Sequence, residues 1–198
     1  MSKYVIGLTG GIACGKSNLS AALRGAGACV IDADEISHAL TEKGGAALPA
    51  LRAAFGDEIF NDDELNRRAL SLRVFGHDEN MERLNGILHP MIFAEMDRRL
   101  MECEGIAVLE APLLYECGLE NKCDEVWCAY VPQREQVHRL CKRAGISRRE
   151  ALQRIHSQMS PLQKARLSDR VIRTTGTKEE SAEQALQLFR QVREKTGA

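Results

Sequence analysis

A glycine-rich segment near the start of the chain has the residue types and spacing of a phosphate-binding loop. The run Gly10-Gly11-Ile12-Ala13-Cys14-Gly15-Lys16-Ser17 matches the pattern G-x-x-x-x-G-K-[ST]. Its glycines permit backbone angles that turn successive N–H groups toward phosphate oxygens at the positive end of a helix dipole. We expect Lys16 to reach the β- and γ-phosphates and Ser17 to bind Mg²⁺. The residues predicted to contact a bound nucleotide are Gly11, Ile12, Ala13, Cys14, Gly15, Lys16, Ser17 and Asn18.

Two carboxylates follow the next apolar run, in the sequence Ile31-Asp32-Ala33-Asp34. In a doubly wound sheet, the carboxyl ends of the strands face the ligand crevice. We predict that Asp34 acts as a general base or orients an acceptor hydroxyl, and that Asp32 lies nearer the Mg²⁺ or Lys16. Helix N-capping by either aspartate is the alternative, because carboxylates cap helices well.

The segment 134–154 carries seven Lys or Arg residues against two acids, which is unusual in a chain of formal net charge −1. Arg139 and Arg143 are four residues apart, so they share one face of a helix and are predicted to close over ATP phosphates as a lid. Nucleic-acid binding is disfavoured, because no aromatic residues are interleaved with these charges. A solvated charged face is the preferred interpretation for Arg134, Arg148 and Arg149.

Two other nucleotide-dependent classes compete with a kinase. Asn121-Lys122-Cys123-Asp124 spells the N-K-x-D signature of GTPases, but it precedes the apolar run 126–131 instead of ending a strand, and no D-x-x-G occurs. We therefore interpret it as a chance match in a turn. A motor ATPase places two adjacent acids after its Walker B strand, whereas Glu110 is followed by Ala111 and Pro112. A single carboxylate suits a kinase, in which activation of water would waste ATP.

The elements that must position these residues alternate between strand and helix. An apolar run, the glycine loop, an amphipathic stretch over 16–24 and a second apolar run predict a βαβ unit with a parallel sheet. The fold class expected is α/β, a three-layer P-loop NTPase fold with a sheet of about five strands, a helical acceptor-binding insertion and a helical lid. The predicted strands are 4–9, 29–31, 106–109, 126–131 and 171–172.

A long, mostly helical stretch between Asp34 and Glu104 is broken at Phe55-Gly56. We predict a kinase core over residues 1–60 and 104–198, with a helical insertion over 61–103 that binds the acceptor substrate. The lid is placed at about 133–158, as two helical stretches separated by Gly145, and an amphipathic helix over 178–195 closes the chain.

Composition bounds the remaining possibilities. The 198 residues contain no apolar segment long enough to span a membrane, and the apolar run at the N-terminus is too short for a signal peptide. We therefore expect a cytoplasmic protein, with a monomer favoured and no nucleic-acid or membrane partner. The seven cysteines lack zinc-site spacing and are interpreted as reduced, buried thiols.

Several segments together resemble the ordered signatures of dephospho-CoA kinases, from Gly7 to about Thr177. The resemblance implies transfer of the ATP γ-phosphoryl group to the ribose 3′-hydroxyl of dephospho-CoA, with Mg²⁺ as cofactor. It also implies a P-loop core, a helical CoA-binding domain and a lid. The segments that carry it are 7–17, Asp32-Ala33-Asp34, Leu84-Asn85 with Leu88-His89-Pro90, Pro112 to Glu116, and Arg154-Ile155 with Gln158.

Carried over position by position, the resemblance implies that Asp34 is the catalytic base, beside Lys16, Arg139 and Arg143. Packing is the alternative for the apolar members of the 84–90 segment and for His89. The substrate-binding residues implied are Asp34, His38, Leu84, His89, Pro90, Leu113, Glu116 and Arg154.

The chain departs from the family pattern at three places. Ala13-Cys14 stands where Gly-Ser is usual, which changes crowding in the loop but not its backbone donors. His38 stands where arginine is common, so the charge there depends on pH. The stretch 173–176, Arg-Thr-Thr-Gly, replaces one that usually contains Asn.

Overall fold

The computed structural model describes residues 3–197 and contains a five-stranded sheet in which each neighbouring pair of strands is parallel. Numbered along the chain, the strands of this sheet are β1 (Tyr4–Thr9), β2 (Cys29–Asp32), β5 (Ile106–Glu110), β6 (Glu125–Tyr130) and β7 (Arg170–Arg173). Their order in the sheet is β2-β5-β1-β6-β7, so the strand before the glycine loop lies at the centre. This confirms the predicted α/β fold with five parallel strands.

The chain divides into two compact units, and the sheet belongs to the unit formed by residues 1–32 and 102–198. The two predicted lid stretches are helices that end and begin on either side of Gly145, and the last helix matches the predicted closing segment. A short helix after the lid was not predicted, because seven residues give too little periodicity. The helices of this unit are α1 (Lys16–Gly25), α6 (Gln133–Ala144), α7 (Arg148–His156), α8 (Pro161–Leu167) and α9 (Lys178–Thr196).

The core of the sheet unit forms where one face of the strands meets α1 and α9. Ile6 and Leu8 alternate toward this face in β1 and are fully buried. Leu19 and Leu23 lie four residues apart on α1 and pack into the same cluster, as does Phe189 from α9. Burial of a side chain of this size contributes about 1.5–3 kcal/mol, so this cluster fixes α1 against the sheet.

The second unit, residues 33–101, has its own apolar core. It begins well before the predicted boundary at residue 61, because Leu40 packs against that core and Arg67 donates a hydrogen bond of 3.0 Å to the Thr41 hydroxyl. The predicted break is present, since α3 ends at Phe55 and Gly56 has φ 82°. The elements are α2 (Ala33–Thr41), α3 (Leu48–Phe55), a 3₁₀ turn (Asp57–Ile59), the hairpin strands β3 (Phe60–Asn61) and β4 (Glu64–Leu65), α4 (Arg67–Val74) and α5 (Asp78–Glu102).

The interpretation of all cysteines as reduced thiols is wrong for two of them. Cys29 in β2 and Cys103 after α5 form a disulfide, with their Cα atoms 5.8 Å apart. The pair is separated by 74 residues, and only the fold brings the two together. The other five cysteines are thiols and are at least partly buried.

The N-K-x-D sequence has a structural role. Lys122 ends a 3₁₀ turn (Leu119–Lys122) that precedes β6, as the sequence position predicts. The Asp124 carboxylate accepts a hydrogen bond of 2.7 Å from the backbone N–H of Val5. This bond lies at the start of β1, opposite to the strand end that carries the glycine loop, so Asp124 supports the sheet.

No helix within residues 3–197 is both long and apolar enough to cross a membrane.

Gly7 in β1 provides a test of the packing on the second face of the sheet. A Cβ added at Gly7 would lie 2.8 Å from Cys123 Sγ and 2.9 Å from Leu114 Cδ1. Because Leu114 is fully buried and Cys123 Sγ donates a hydrogen bond to the backbone oxygen of Leu119, we expect Gly7→Ala to lower the free energy of unfolding by about 1–3 kcal/mol. Urea denaturation of both proteins measures the difference.

Gly25, at the exposed end of α1, is the matched control, because a Cβ there meets nothing within 4 Å. Gly25→Ala should be neutral or slightly stabilising, since alanine favours helix. Equal stability of Gly7→Ala and the unsubstituted protein would contradict the tight contact.

Candidate active site

The glycine loop connects the end of β1 to the start of α1, as predicted. Gly10 has φ 143°, and a Cβ there would lie 2.5 Å from the backbone oxygen of Ala129. A side chain at this position would therefore collide with β6. Gly15, immediately before α1, has φ 83°. Gly10 allows the chain to pass close to β6 as it leaves β1. Gly15 allows the left-handed conformation in which the chain enters α1.

The two residues that depart from the family pattern fit the loop at a cost. Ala13 has φ 61°, a left-handed conformation that costs a non-glycine residue about 1–2 kcal/mol. Cys14 is fully buried, and this burial raises the pKa of its thiol. The thiol therefore stays neutral at physiological pH and adds no negative charge beside bound phosphate.

Lys16 and Ser17 open α1. The Lys16 side chain is buried, and its ammonium group donates to the backbone oxygens of Gly10 at 2.9 Å and Gly11 at 3.5 Å. Within residues 3–197 no side chain caps the start of α1, and its first turn carries no acid. The positive end of this helix is thus available to an anion. Exposed Ser17 lies in the same turn.

Thr174 is hydrogen-bonded to the backbone of the loop. Its hydroxyl donates a hydrogen bond of 2.7 Å to the backbone oxygen of Cys14, and its side chain lies 3.6 Å from the Cβ position of Gly15. Its own backbone oxygen accepts a bond of 2.6 Å from Arg139. Thr174, within the stretch that departs from the family pattern, therefore links the loop to the lid helix α6.

Two lid glutamines hold Ile12 in the middle of the loop. The Gln158 side-chain oxygen accepts a bond of 3.2 Å from the Ile12 N–H, and the Gln136 amide nitrogen donates one of 2.7 Å to the Ile12 oxygen. In this conformation the N–H of Ile12, one of the predicted nucleotide contacts, is directed to Gln158. The Asn18 side chain donates to Lys178 and Ser181 of α9, so it supports α1.

The lid arginines differ in their surroundings. Arg139 is partly buried and paired with Glu135 at 2.9 Å, in addition to its bond to Thr174. Arg143 is one turn further along α6 and exposed, and no ion pair to it is found within residues 3–197. Arg154 is also exposed, on α7. Of the two predicted catalytic arginines, only Arg143 extends into solvent.

The aspartates lie on different units. Asp32 is the last residue of β2, half-buried and directly opposite the buried Glu110 at the end of β5. Asp34 is exposed in the first turn of α2, in the second unit. The predicted position at the end of the second strand is thus confirmed for Asp32. Asp34 lies in the helix that follows.

The acceptor-side residues of the second unit lie on α2 and α5. Leu84 packs against the apolar core of this unit, which favours the packing role left open by the sequence. His89 lies with its ring 5.6 Å from that of Phe93, and burial lowers the pKa of His89. Pro90 is exposed inside the helix. His38 is exposed on α2.

The segment after β5 is held by a buried lysine that the sequence analysis did not identify. Lys164 of α8 is fully buried and forms an ion pair of 2.9 Å with Glu116. It also donates to the backbone oxygen of Pro112. Glu116 accepts a further bond of 2.8 Å from the Met159 N–H. These bonds fix the position of Glu116, and half-buried Leu113 lies in the same segment.

The sequence analysis assigned no site role to three residues that the fold brings to the loop: Gln136, Gln158 and Thr174. They are 124, 146 and 160 residues from their partners in the loop. No local spacing connects positions so far apart. The match of Gln158 to a family segment was the only indication that it belongs to the site.

A central parallel strand, a glycine loop with left-handed turns, a buried lysine and an uncapped helix start define a P-loop phosphotransferase. The chain also matches the family model described as dephospho-CoA kinase over residues 4–180. It belongs to the dephospho-CoA kinase family. This confirms the resemblance carried by the sequence segments.

Individual relatives agree with this family. A dephospho-CoA kinase of Carboxydothermus hydrogenoformans is 40% identical over 190 residues, covering 93% of this chain and 92% of its own length. A solved Thermus thermophilus structure superimposes with a TM-score of 0.84 at 32% identity, covering 96% of this chain and 97% of its own. The dephospho-CoA kinase of Campylobacter jejuni has a TM-score of 0.64 at 24% identity, with the same coverage of 96% and 97%, and shares the fold.

The different surroundings of Arg139 and Arg143 lead to a prediction. Arg139→Ala removes the bonds to Glu135 and Thr174, so it should lower both the melting temperature and the turnover. Arg143→Ala should lower kcat/KM by about 10-fold or more, since an arginine on the transferring phosphate can contribute about 10³- to 10⁵-fold, and it should not lower the melting temperature.

Exposed Arg148 on α7 is the matched control, and Arg148→Ala should leave both properties nearly unchanged. Thermal unfolding and steady-state kinetics of the three variants measure these effects. If Arg143→Ala and Arg148→Ala reduced kcat/KM equally, the lid would act only as a diffuse positive charge.

Proposed function

We propose that this protein is a dephospho-CoA kinase, which transfers the γ-phosphoryl group of ATP to the ribose 3′-hydroxyl of dephospho-CoA and yields coenzyme A and ADP. The observation that carries the proposal is the phosphate loop with buried Lys16, in a chain that belongs to this family. Residues of this loop bind the ATP phosphates through backbone N–H groups and the Lys16 ammonium.

The ammonium group of Lys16 lies on two backbone oxygens of the loop itself, Gly10 and Gly11. These carbonyls keep the cation inside the loop before the nucleotide arrives. Bound phosphate offers full negative charge, which makes a stronger hydrogen-bond acceptor than a neutral carbonyl. Lys16 can therefore exchange a carbonyl for a phosphate oxygen and stabilise the charge that shifts during transfer.

Mg²⁺ is part of the proposal, with Ser17 and Asp32 as the residues that would hold it. Among residues 3–197 no group of three His, Cys, Asp or Glu side chains is arranged to bind a metal. This fits Mg²⁺ in a kinase, which typically takes one or two protein oxygens and completes its shell with nucleotide phosphates and water. When bound, Mg²⁺ neutralises charge on the phosphates.

Asp34 is the proposed base for the acceptor hydroxyl. It follows Asp32 by two residues and is exposed, so its carboxylate is accessible to a substrate. A phosphoryl transfer with a loose transition state needs little proton removal early in the reaction. Asp34 therefore acts mainly by aiming the hydroxyl oxygen and accepts the proton as the new P–O bond forms.

The remaining substrate contacts follow the same assignment. Exposed Arg143 is the candidate for the transferring phosphate, and Arg154 for the acceptor. His38, Leu84, His89 and Pro90 are proposed to contact dephospho-CoA, together with Leu113 and Glu116. Residues 133–158 are proposed as the lid and 61–103 as the CoA-binding insertion. Cytoplasmic location, a monomeric state and the absence of a nucleic-acid partner stay predictions from the sequence.

The activity is tested by incubating the protein with MgATP and dephospho-CoA and identifying the product by mass. We expect one additional phosphate on dephospho-CoA, and loss of turnover with retained fold in Lys16→Ala, because Lys16 stabilises charge on the transferring group. Exposed Lys122, in the N-K-x-D sequence, is the control, and Lys122→Ala should be fully active. Phosphorylation of a nucleoside or sugar but not of dephospho-CoA would indicate another small-molecule kinase.

The role of Asp34 predicts a selective effect. Asp34→Asn keeps the size of the side chain but removes its basicity, so kcat should fall by about 10²-fold, the lower part of the range for general bases. ATP affinity should change little, because Asp34 is assigned to the acceptor. Steady-state kinetics and calorimetric ATP titration measure the two quantities.

Glu35 is the neighbouring exposed carboxylate in the same helical turn. Glu35→Gln should therefore leave kcat within about twofold, which controls for the loss of one negative charge in this turn. A fall of less than tenfold in Asp34→Asn would leave Asp34 without a role as base, with Asp32 as the next candidate.

A further inference from the structure

Two side chains from the lid region bond to the backbone on both sides of one loop residue, Ile12. Gln158, which follows α7, accepts from the Ile12 N–H at 3.2 Å. Gln136 of α6 donates to the Ile12 oxygen at 2.7 Å, and only its amide nitrogen can face a carbonyl oxygen favourably. Two consecutive peptide groups, 11–12 and 12–13, are therefore held from outside the loop.

Each of these bonds also fixes the direction of the other polar group of the same peptide. In a planar trans peptide the N–H and C=O point in opposite directions. With the Ile12 N–H directed to Gln158, the Gly11 oxygen accepts from the Cys14 N–H at 3.2 Å and lies 3.5 Å from the Lys16 ammonium. With the Ile12 oxygen directed to Gln136, the Ala13 N–H points away from that glutamine. The two bonds thus orient one anchor of Lys16 and one loop donor.

The packing around Gln136 shows that its position is tightly defined. A Cβ added at Gly11 would lie 2.5 Å from the Gln136 amide nitrogen, so the glutamine occupies the space a side chain at Gly11 would need. Gln136 is fully buried, yet its side-chain oxygen has no hydrogen-bond partner within residues 3–197. A buried unpaired oxygen is costly, so stability alone would be served as well by an apolar side chain of this size.

Apolar contacts connect the same parts of the molecule. Ile12 and Ala13 pack against a cluster formed by Val137 and Leu140 of α6 with Ile155 of α7. The loop therefore rests on the lid helices through side chains and is bonded to them through its backbone. A change in the position of these helices would reach the peptide groups of the loop directly.

We propose that Gln136 and Gln158 are positioning residues that couple the lid helices to the phosphate loop, by fixing the peptide groups on both sides of Ile12 in the orientation that presents Lys16 and the Ala13 N–H to ATP. Neither glutamine needs to touch the substrate. The inference rests on the proposed function, since it requires ATP to bind at this loop.

The test replaces each glutamine by methionine, which has a similar shape but cannot form the bonds. Gln136→Met and Gln158→Met should each weaken ATP binding and raise the KM for ATP about fivefold to tenfold, the scale of one lost hydrogen bond. The KM for dephospho-CoA should stay within about twofold. Gln153→Met, at an exposed position of α7, is the control and should match the unsubstituted protein. ATP binding is measured by calorimetry and turnover by product formation.

Stability separates positioning from a merely structural role. Gln136→Met removes a buried unpaired oxygen together with one bond, so its melting temperature should change by less than about 3 °C. A large fall in melting temperature, with ATP affinity of the folded protein unchanged, would overturn the inference. Unchanged ATP affinity in both methionine variants would overturn it as well.

Gly11→Ala tests the same bond from the other side, since the new Cβ displaces the Gln136 amide. It should weaken ATP binding to a similar extent as Gln136→Met, and combining the two should cost much less than the product of both effects, because they break one contact. Full additivity would overturn the coupling. If the unsubstituted protein failed to bind ATP at all, the proposed function itself would fail, which calorimetry distinguishes from a failure of the coupling alone.

Discussion

The phosphate loop can bind an anion only while its peptide groups keep their N–H bonds directed at the phosphates, and a loop has no regular hydrogen-bond ladder to hold them there. Much of the surrounding structure supplies that restraint. Gly10 lies against the backbone of Ala129, and Thr174 holds the Cys14 oxygen. Gln136 and Gln158 hold Ile12 on both sides. The left-handed Ala13 persists because these neighbours fix the chain around it.

The electrostatics of the site are local, because the whole chain is nearly neutral. The positive charge comes from buried Lys16 and from the start of α1, whose first turn carries no acid. Burial also keeps the Cys14 thiol neutral by raising its pKa, so this uncommon loop residue does not repel phosphate. A field built in this way acts on nucleotide bound at the loop.

The two units have separate reasons to be stable. The sheet unit is ordered by parallel strands that are buried between helices and loops, and the second unit by its own apolar cluster around Leu51 and Phe55. The chain leaves the sheet unit after Asp32 and returns at Glu102. The disulfide between Cys29 and Cys103 joins residues near both of these points in the sequence. The covalent loop that it closes therefore contains all residues of the second unit.

The sequence by itself determined the strands of the sheet unit, which are apolar runs, and its longer helices, which have helical periodicity. It also determined the chemistry of the phosphate loop, because glycines, lysine and serine act there within eight consecutive residues. The tertiary structure alone decided which distant groups complete the site. Gln136, Thr174 and the Cys29–Cys103 pair have partners far away in the chain, and no periodicity records such contacts. It also gave Arg139 and Arg143 different surroundings. Helical spacing predicts that the two share a face, but it does not predict that Arg139 is bonded to Glu135 and Thr174. Hydrogen bonds between distant segments depend on the position of every element between them, which only the folded chain defines.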